Sequence, residues 1–155
     1  ASTSLLDGRL SHLPWLQATP DPITTATWRT WVEISLDTAG SLGIKEGDHV
    51  RVISENGTIE ALAYPTPASA NDIVSVPIGQ GHKFGGRYSE GRGSNVLSIL
   101  SPLTISGSDG FAWAATRVRI EKIGTNEKIP KFENTADVLA VDEGQRIIGI
   151  TPNDS

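Results

Sequence analysis

The sequence predicts a mainly β domain, built as a small closed β-barrel with short helices. Several short apolar runs read as strands, turn signals separate them at close spacing, and little of the chain shows a helical period. A chain of 155 residues is also long enough to bury a hydrophobic core without disulfides or metal ions.

Composition excludes several classes of function. With 13 Lys and Arg against 18 Asp and Glu, the net charge is −5, which disfavours binding of nucleic acid or of anionic membranes through bulk charge. The absence of Cys excludes disulfides, thiolate zinc sites and cysteine-bound iron–sulfur clusters within the chain. The absence of Met predicts a processed or excised piece of a longer protein, and no apolar run reaches the roughly 20 residues of a membrane span.

The first 30 residues are expected to form an extended arm. Pro14, Pro20 and Pro22 interrupt any helical period there. Trp15 and Leu16 are predicted to anchor the arm on the domain, because a free tail would not need large apolar side chains.

A strand and a short helix follow the arm. The first strand is predicted at Trp31–Ile34. Ser35 or Asp37 then offers an N-cap for a turn of helix over residues 38–42. Gly43 suits the left-handed residue that ends such a helix.

A β-hairpin is the strongest local signal in the chain. The runs at His49–Ile53 and at 58–64 flank the dipeptide Asn56-Gly57. Asn-Gly between two alternating runs predicts a type I′ turn, in which both central residues take positive φ.

Short elements continue to the end of the chain. We expect, in order, a strand at 73–78, a glycine-rich loop at 79–93, a helical turn at 95–100, a loop at 107–110, a strand at 116–120 and a polar stretch after Lys122 that ends in an apolar group at 147–150. No internal repeat and no low-complexity tract interrupts this order.

The loop at 79–93 is the one stretch that looks built for a ligand. It holds six glycines in 15 residues and carries Lys83, Arg87 and Arg92 against Glu90. Glycines let backbone amides approach an anion closely, and guanidinium groups bind phosphate with two parallel hydrogen bonds. The loop therefore predicts a diphosphate or nucleotide site, and the alternative is a flexible surface loop with solvated charges. It matches neither the dinucleotide-binding Rossmann fingerprint nor a Walker loop.

Other catalytic or metal-binding patterns are weak. His12, His49 and His82 lack metal-ligand spacing, and no Gly-x-Ser-x-Gly elbow is present to activate a serine. His82 lies inside the glycine-rich loop, where it could donate to an anion or to a heterocycle. The four tryptophans are expected to serve as packing residues or as stacking surfaces for a purine.

A resemblance to a known family rests on the segments around this loop. Residues 72–82, 86–88 and 91–95 read DIVSVPIGQGH, GRY and GRGSN. Together with the segments at 31–52, 57–61 and 114–119, they resemble the C-terminal domain of molybdopterin oxidoreductases of the dimethyl sulfoxide reductase superfamily. The sequence is most similar to the iron–sulfur-containing respiratory large subunits, and the likeness runs from Leu5 to about Lys122.

That resemblance implies a fold and a cofactor. The fold would be a six-stranded double-psi β-barrel at residues 31–122, with the arm at 1–30 leading into it and the polar tail at 123–155 packing on it. The cofactor would be molybdopterin guanine dinucleotide, with molybdenum or tungsten bound by residues outside this chain. By position, the residues implied to face the cofactor are Gln80, Gly81, His82, Arg87, Arg92, Asn95, Thr116, Arg9 and His12.

The chain is thus expected to be the cofactor-binding domain of an oxidoreductase large subunit, without catalytic residues of its own. The implied partners are the remaining domains of that subunit and an iron–sulfur electron-transfer subunit, with no nucleic acid and no membrane insertion. Many relatives lie in the periplasm or on the outer face of the membrane. One alternative is a structural barrel of a cofactor-less homologue in a quinone-linked electron-transfer complex. Another is a free-standing double-psi domain that binds peptides or partner proteins.

Overall fold

The computed structural model of the protein describes residues 2–124 and 126–132. Four strands are present in this part of the chain: β1 (Trp31–Ile34), β2 (His49–Ile53), β3 (Thr58–Pro65) and β4 (Arg119–Lys122). The helices are α1 (Pro14–Gln17), α2 (Leu36–Leu42) and two short 3₁₀ helices at Val96–Ile99 and Trp113–Ala115. None of these helices is long and apolar enough to cross a membrane. The apolar group expected at 147–150 and most of the predicted tail lie outside the described residues.

The four strands form one mixed sheet in the order β1-β3-β2-β4. Strand β1 runs parallel to β3, with Trp31 opposite Leu62, and the other two pairs are antiparallel. The mainly β prediction is confirmed. In the described part of the chain, however, the sheet does not close into a barrel, so neither six strands nor a double-psi topology is confirmed.

The run at 73–78 does not form the strand that its sequence predicts. It meets the outer edge of β1 through one bridge, in which Glu33 and Ser75 exchange backbone hydrogen bonds of 2.8 and 3.1 Å. Pro77 has no amide hydrogen, so it cannot donate to a longer ladder. The strand expected at 116–120 begins later, at Arg119, because a 3₁₀ helix ends at Ala115 and the Thr116 hydroxyl accepts the Ser101 amide.

Helix α2 forms where the sequence predicts a turn of helix, but it begins two residues earlier, at Leu36. The Ser35 hydroxyl accepts a 3.1 Å hydrogen bond from the Thr38 amide, which makes Ser35 the N-cap. Asp37 lies in the first turn, where its negative charge faces the positive end of the helix. Gly43 ends the helix with a φ of 63°.

The hairpin between β2 and β3 is also confirmed, but the type I′ turn is wrong. Ile53 pairs with Thr58, whereas neither Asn56 nor Gly57 has a positive φ. Instead, Ser54 organises the turn: its hydroxyl accepts the Asn56 amide at 3.0 Å and donates to the Ile99 carbonyl at 2.6 Å. The Ser54 side chain thus bonds both its own turn and the segment at Ile99. These bonds override the preference of the Asn56-Gly57 dipeptide for a type I′ turn.

The N-terminal segment is a series of turns with one short helix, and it is not extended throughout. Leu5 is buried, and so is Gln17 at the end of α1. Trp15 is 63% exposed, so its predicted anchoring role is wrong. Residues that break a helical period do not prevent short turns, each of which is stabilised by its own backbone hydrogen bonds.

The core places the glycine-rich loop between two buried anchors. Strands β1, β2 and β3 contribute fully buried side chains, namely Val32, Ile34, Val50, Val52 and Ala63. Ile78, just before the loop, and Val96, just after Asn95, belong to the same cluster. Both ends of segment 79–95 are therefore held by apolar burial, whereas residues 83–87 are exposed.

A buried carboxylate braces one end of the sheet. Asp48 is 3% exposed, and its carboxylate accepts the Lys45 amide at 2.7 Å and lies 2.6 Å from the Lys122 ammonium group. The amide of Asn126 donates to it at 3.3 Å. The hydrogen bond from Lys122 lowers the pKa of Asp48 below its ordinary value of 3.8, against the opposing effect of burial.

We expect Asp48→Asn to destabilise the protein by about 1–3 kcal/mol at neutral pH, because buried donors lose a charged acceptor. A carboxyl group with a lowered pKa stabilises the fold above its ordinary pKa, and that contribution is lost as pH falls through the folded value. The deficit of the variant should therefore shrink as the pH falls below the ordinary carboxyl pKa of 3.8. Denaturant unfolding at pH 7 and pH 3 measures both values, with the exposed Asp109→Asn as control. An equal deficit at both pH values would contradict this assignment.

Candidate functional site

The glycine-rich loop has a backbone that its glycines make possible. All six glycines of residues 79–93 have positive φ, between 56° and 125°. These glycines are Gly79, Gly81, Gly85, Gly86, Gly91 and Gly93. Residues with a Cβ atom rarely adopt such angles, so the glycine pattern in the sequence specifies this loop directly.

Gly81 brings the two ends of the loop into contact. Its amide donates to the Arg92 carbonyl at 2.8 Å. A Cβ atom on Gly81 would overlap the backbone of Ser94 and Asn95. The loop therefore closes by direct packing of backbone on backbone, which only glycine allows.

Thr30 attaches the closed loop to the sheet. Thr30 is 2% exposed and lies immediately before β1. Its hydroxyl accepts the Ser94 amide at 2.9 Å, and a Cβ atom on Gly93 would overlap the same hydroxyl. Sequence analysis missed Thr30, because a single threonine before a strand carries no signal of this contact.

Gln80 is buried and joins the loop to the N-terminal segment. Its amide nitrogen donates to Gln17 Oε1 at 2.7 Å, and the Gln17 nitrogen returns a bond of 3.3 Å. Gln17 also donates to the Ser11 carbonyl at 2.8 Å. Both polar atoms of the Gln80 side chain thus have partners inside the protein, which gives this predicted cofactor residue a bracing role in the described structure.

His82 lies where the loop meets the N-terminal segment. Its ring nitrogen Nε2 is 3.3 Å from the Gly79 carbonyl oxygen, and the ring packs against Gly8. The His82 carbonyl accepts the Gly91 amide at 3.3 Å. The half-buried His82 ring is therefore fixed at its Nε2 edge by the Gly79 carbonyl and Gly8.

The Arg92 guanidinium group packs against an aromatic ring, and one of its nitrogen atoms makes no hydrogen bond within the described residues. The guanidinium carbon lies 4.6 Å from the centre of the Trp28 ring, a cation–π contact. Its terminal nitrogen makes one long bond, 3.4 Å, to the Arg87 carbonyl. Among the described residues, Arg92 Nε is one of two side-chain nitrogen and oxygen atoms that are buried without a hydrogen-bond partner. Buried N–H groups are nearly always hydrogen-bonded, so this donor indicates a place for an acceptor atom of a ligand or a partner.

The other charges of the loop lie at its outer face. Lys83 and Arg87 are exposed. The Arg87 side chain stacks 4.6 Å from the Tyr88 ring centre and donates to the Tyr88 hydroxyl. The carboxylate of Glu90 accepts the Gly86 amide at 2.9 Å, so one amide of the predicted anion site already binds a negative charge from within the loop.

The remaining predicted residues have separate surroundings. Asn95 is exposed, and its side-chain oxygen caps the following 3₁₀ helix through the Leu97 amide at 3.1 Å. Thr116 bonds Ser101, and Arg9 forms an exposed 2.7 Å ion pair with Asp7 that lowers the pKa of that carboxyl group. His12 is exposed. The contacts of Thr116 and Arg9 are thus made to residues outside the loop.

Metal ligation has no support in the described part of the chain. Over residues 2–124 and 126–132, no three His, Cys, Asp or Glu side chains group as metal ligands do. The site offers cations, backbone amides and the aromatic rings of Trp28 and Tyr88, which is chemistry that binds an anionic or heterocyclic ligand.

Comparison with known proteins identifies the family. Residues 16–111, which include the whole loop, match the molydopterin dinucleotide binding domain, and the chain belongs to that family. The resemblance predicted from the loop segments is thereby confirmed. The chain is also similar to the menaquinone reductase, molybdopterin-binding-like subunit of Nitratidesulfovibrio vulgaris (strain Hildenborough), at 29% identity over 109 residues. The matched part covers 65% of this chain and 16% of that protein.

We expect Gly81→Ala to destabilise the protein by about 2–5 kcal/mol, since strain at positive φ adds to overlap with Ser94 and Asn95. Gly86→Ala is a matched control: its φ of 87° is close to the 85° of Gly81, but nothing lies within 4 Å of the added Cβ. That variant should lose only about 1–2 kcal/mol. Thermal and denaturant unfolding measure both losses. Equal losses would show that the loop ends do not depend on this contact.

Proposed function

We propose that this chain binds and orients the dinucleotide part of molybdopterin guanine dinucleotide, as one domain of a molybdenum or tungsten oxidoreductase large subunit. The observation that carries the proposal is Arg92, whose buried Nε lacks a partner among the described residues, on a loop that also exposes Lys83 and Arg87. Family membership gives the ligand class, and the three cations of the loop suit its diphosphate group.

The residues of the loop divide into those that would touch the cofactor and those that support them. Arg92, Arg87 and Lys83 would bind the phosphates. The side-chain amide nitrogen of Asn95 and the ring of His82 would contact heterocycle edges, since both can donate hydrogen bonds there. When bound, the cofactor supplies oxidation–reduction chemistry at a metal that is ligated outside this chain.

Other predicted residues take supporting or outer positions in this proposal. Gln80 and Gly81 act by packing, because the Gln80 amide is engaged by Gln17 and Gly81 closes the loop. Thr116, Arg9 and His12 would contribute only from outside the loop.

The wider architecture extends the same proposal. Residues 31–122 would form the six-stranded double-psi barrel, with 1–30 leading in and 123–155 packing on the barrel. The partners would be the other domains of the large subunit and an iron–sulfur electron-transfer subunit, and the location would be the periplasm or outer face of the membrane. The matched relative is itself named as a subunit of a menaquinone reductase.

A structural role without cofactor is the second candidate, and two observations favour it. The Glu90 carboxylate already accepts the Gly86 amide, which neutralises part of the anion site. The relative is named molybdopterin-binding-like. In this alternative, the domain is a structural barrel in a quinone-linked electron-transfer complex, and the loop contacts neighbouring protein.

Elemental and pterin analysis of the native full-length protein separates the two candidates. Molybdenum or tungsten near one atom per chain, together with guanine nucleotide released on denaturation, supports the cofactor-binding function. Iron without either metal and without pterin supports the structural role and overturns the assignment of the loop.

We expect Arg92→Ala in the full-length protein to weaken cofactor binding by about 10- to 100-fold, because a hydrogen bond to a charged group contributes about 1.5–3 kcal/mol. Pterin and metal per chain should fall while the protein stays folded, as measured by circular dichroism. The control is Arg119→Ala, an exposed arginine on β4 whose ion-pair partner is Glu121. Unchanged pterin content in the Arg92 variant would contradict a phosphate-binding role.

A further inference from the structure

Trp28 sits at the centre of a strained turn. Its φ is 61°, and the Arg29 amide donates to the Thr27 carbonyl two residues earlier at 2.7 Å. A positive φ together with this short-range hydrogen bond describes a γ-turn of the rare, strained kind. A bulky residue in this region is a genuine outlier, and such strain persists only where surrounding contacts offset it.

The indole ring makes a contact of the kind that compensates for such strain. The ring is half-buried and lies against the Arg92 guanidinium group, with 4.6 Å between the guanidinium carbon and the ring centre. Glycine would adopt the same turn without strain but would leave the guanidinium group without this surface.

Arg92 is consequently held on both its backbone and its side chain. Its carbonyl accepts the Gly81 amide, and the next residue, Gly93, packs against Thr30. The ring of Trp28 then limits the guanidinium group to one plane. Lys83 and Arg87 lie exposed at the outer face of the loop. The Arg92 side chain, in contrast, packs on Trp28, which belongs to the N-terminal segment.

We propose that Trp28 is a positioning residue, whose ring holds the Arg92 guanidinium group in the orientation that binds the cofactor diphosphate. This inference rests on the proposed function. A side chain that is ordered before binding loses less conformational entropy when the ligand arrives. The strained backbone of Trp28 is the free-energy cost of holding the Arg92 guanidinium group in this orientation.

The test measures how fast the full-length protein loses its cofactor. The half-time of loss during dialysis is followed as guanine nucleotide and pterin per chain, for Trp28→Gly, Trp28→Phe and Arg92→Lys. Trp28→Gly and Arg92→Lys should each shorten the half-time by about tenfold, since each removes the planar stack. Trp28→Phe keeps an aromatic face and should stay within about twofold of the wild type.

Two further measurements distinguish positioning from a general structural role. The double variant Trp28→Gly/Arg92→Lys should lose cofactor no faster than either single variant, because residues that act as a unit are not additive. The thermal midpoint of Trp28→Gly should stay close to that of the wild type, because relief of strain offsets the lost contact. Trp15→Ala, which removes an exposed indole, should leave the half-time unchanged.

The outcomes separate this inference from the function on which it rests. If the wild type retains cofactor and Trp28→Gly loses it no faster, the positioning role is overturned and the proposed function stands. Additive effects in the double variant also overturn the positioning role. A wild-type protein without pterin overturns both.

Discussion

The contact of Gly81 with the backbone of Ser94 and Asn95 is the constraint on which the rest of the site depends. No side chain fits between these segments, so the loop closes only where glycine stands. Closure places the Arg92 carbonyl on the Gly81 amide and brings Ser94 to the Thr30 hydroxyl. The loop is thereby attached to the residue that precedes β1, which fixes where Arg92 lies relative to the sheet.

Two buried polar connections extend this order beyond the loop. The paired amides of Gln17 and Gln80 join the N-terminal segment to the loop, and the Asp48 carboxylate joins the turn before β2 to β4. Each connection satisfies buried hydrogen-bonding groups that would otherwise cost free energy. The N-terminal segment is therefore a working part of the site, because it supplies both Gln17 and the strained turn at Trp28.

The electrostatics of the site are local. The chain as a whole carries a net charge of −5, yet the loop carries Lys83, Arg87 and Arg92 against Glu90. The Glu90 carboxylate accepts one loop amide, while Arg92 Nε is buried without a hydrogen-bond partner in the part of the chain that the structure describes. The negative charge of Glu90 thus offsets part of the positive charge of the loop, while one hydrogen-bond donor of Arg92 remains unsatisfied. This balance is why cofactor content, rather than fold, decides between a binding and a structural role.

Local chemistry in the sequence determined helix α2 with its Ser35 cap, the pairing of β2 with β3, and the glycine-rich loop, because each depends on residues close together along the chain. The tertiary structure decided what depends on distant partners. Ser54 set the hairpin turn through Ile99, Gln80 met Gln17 63 positions away, and Arg92 found the ring of Trp28. No periodicity or motif encodes such contacts, since they exist only once the loop has packed against β1.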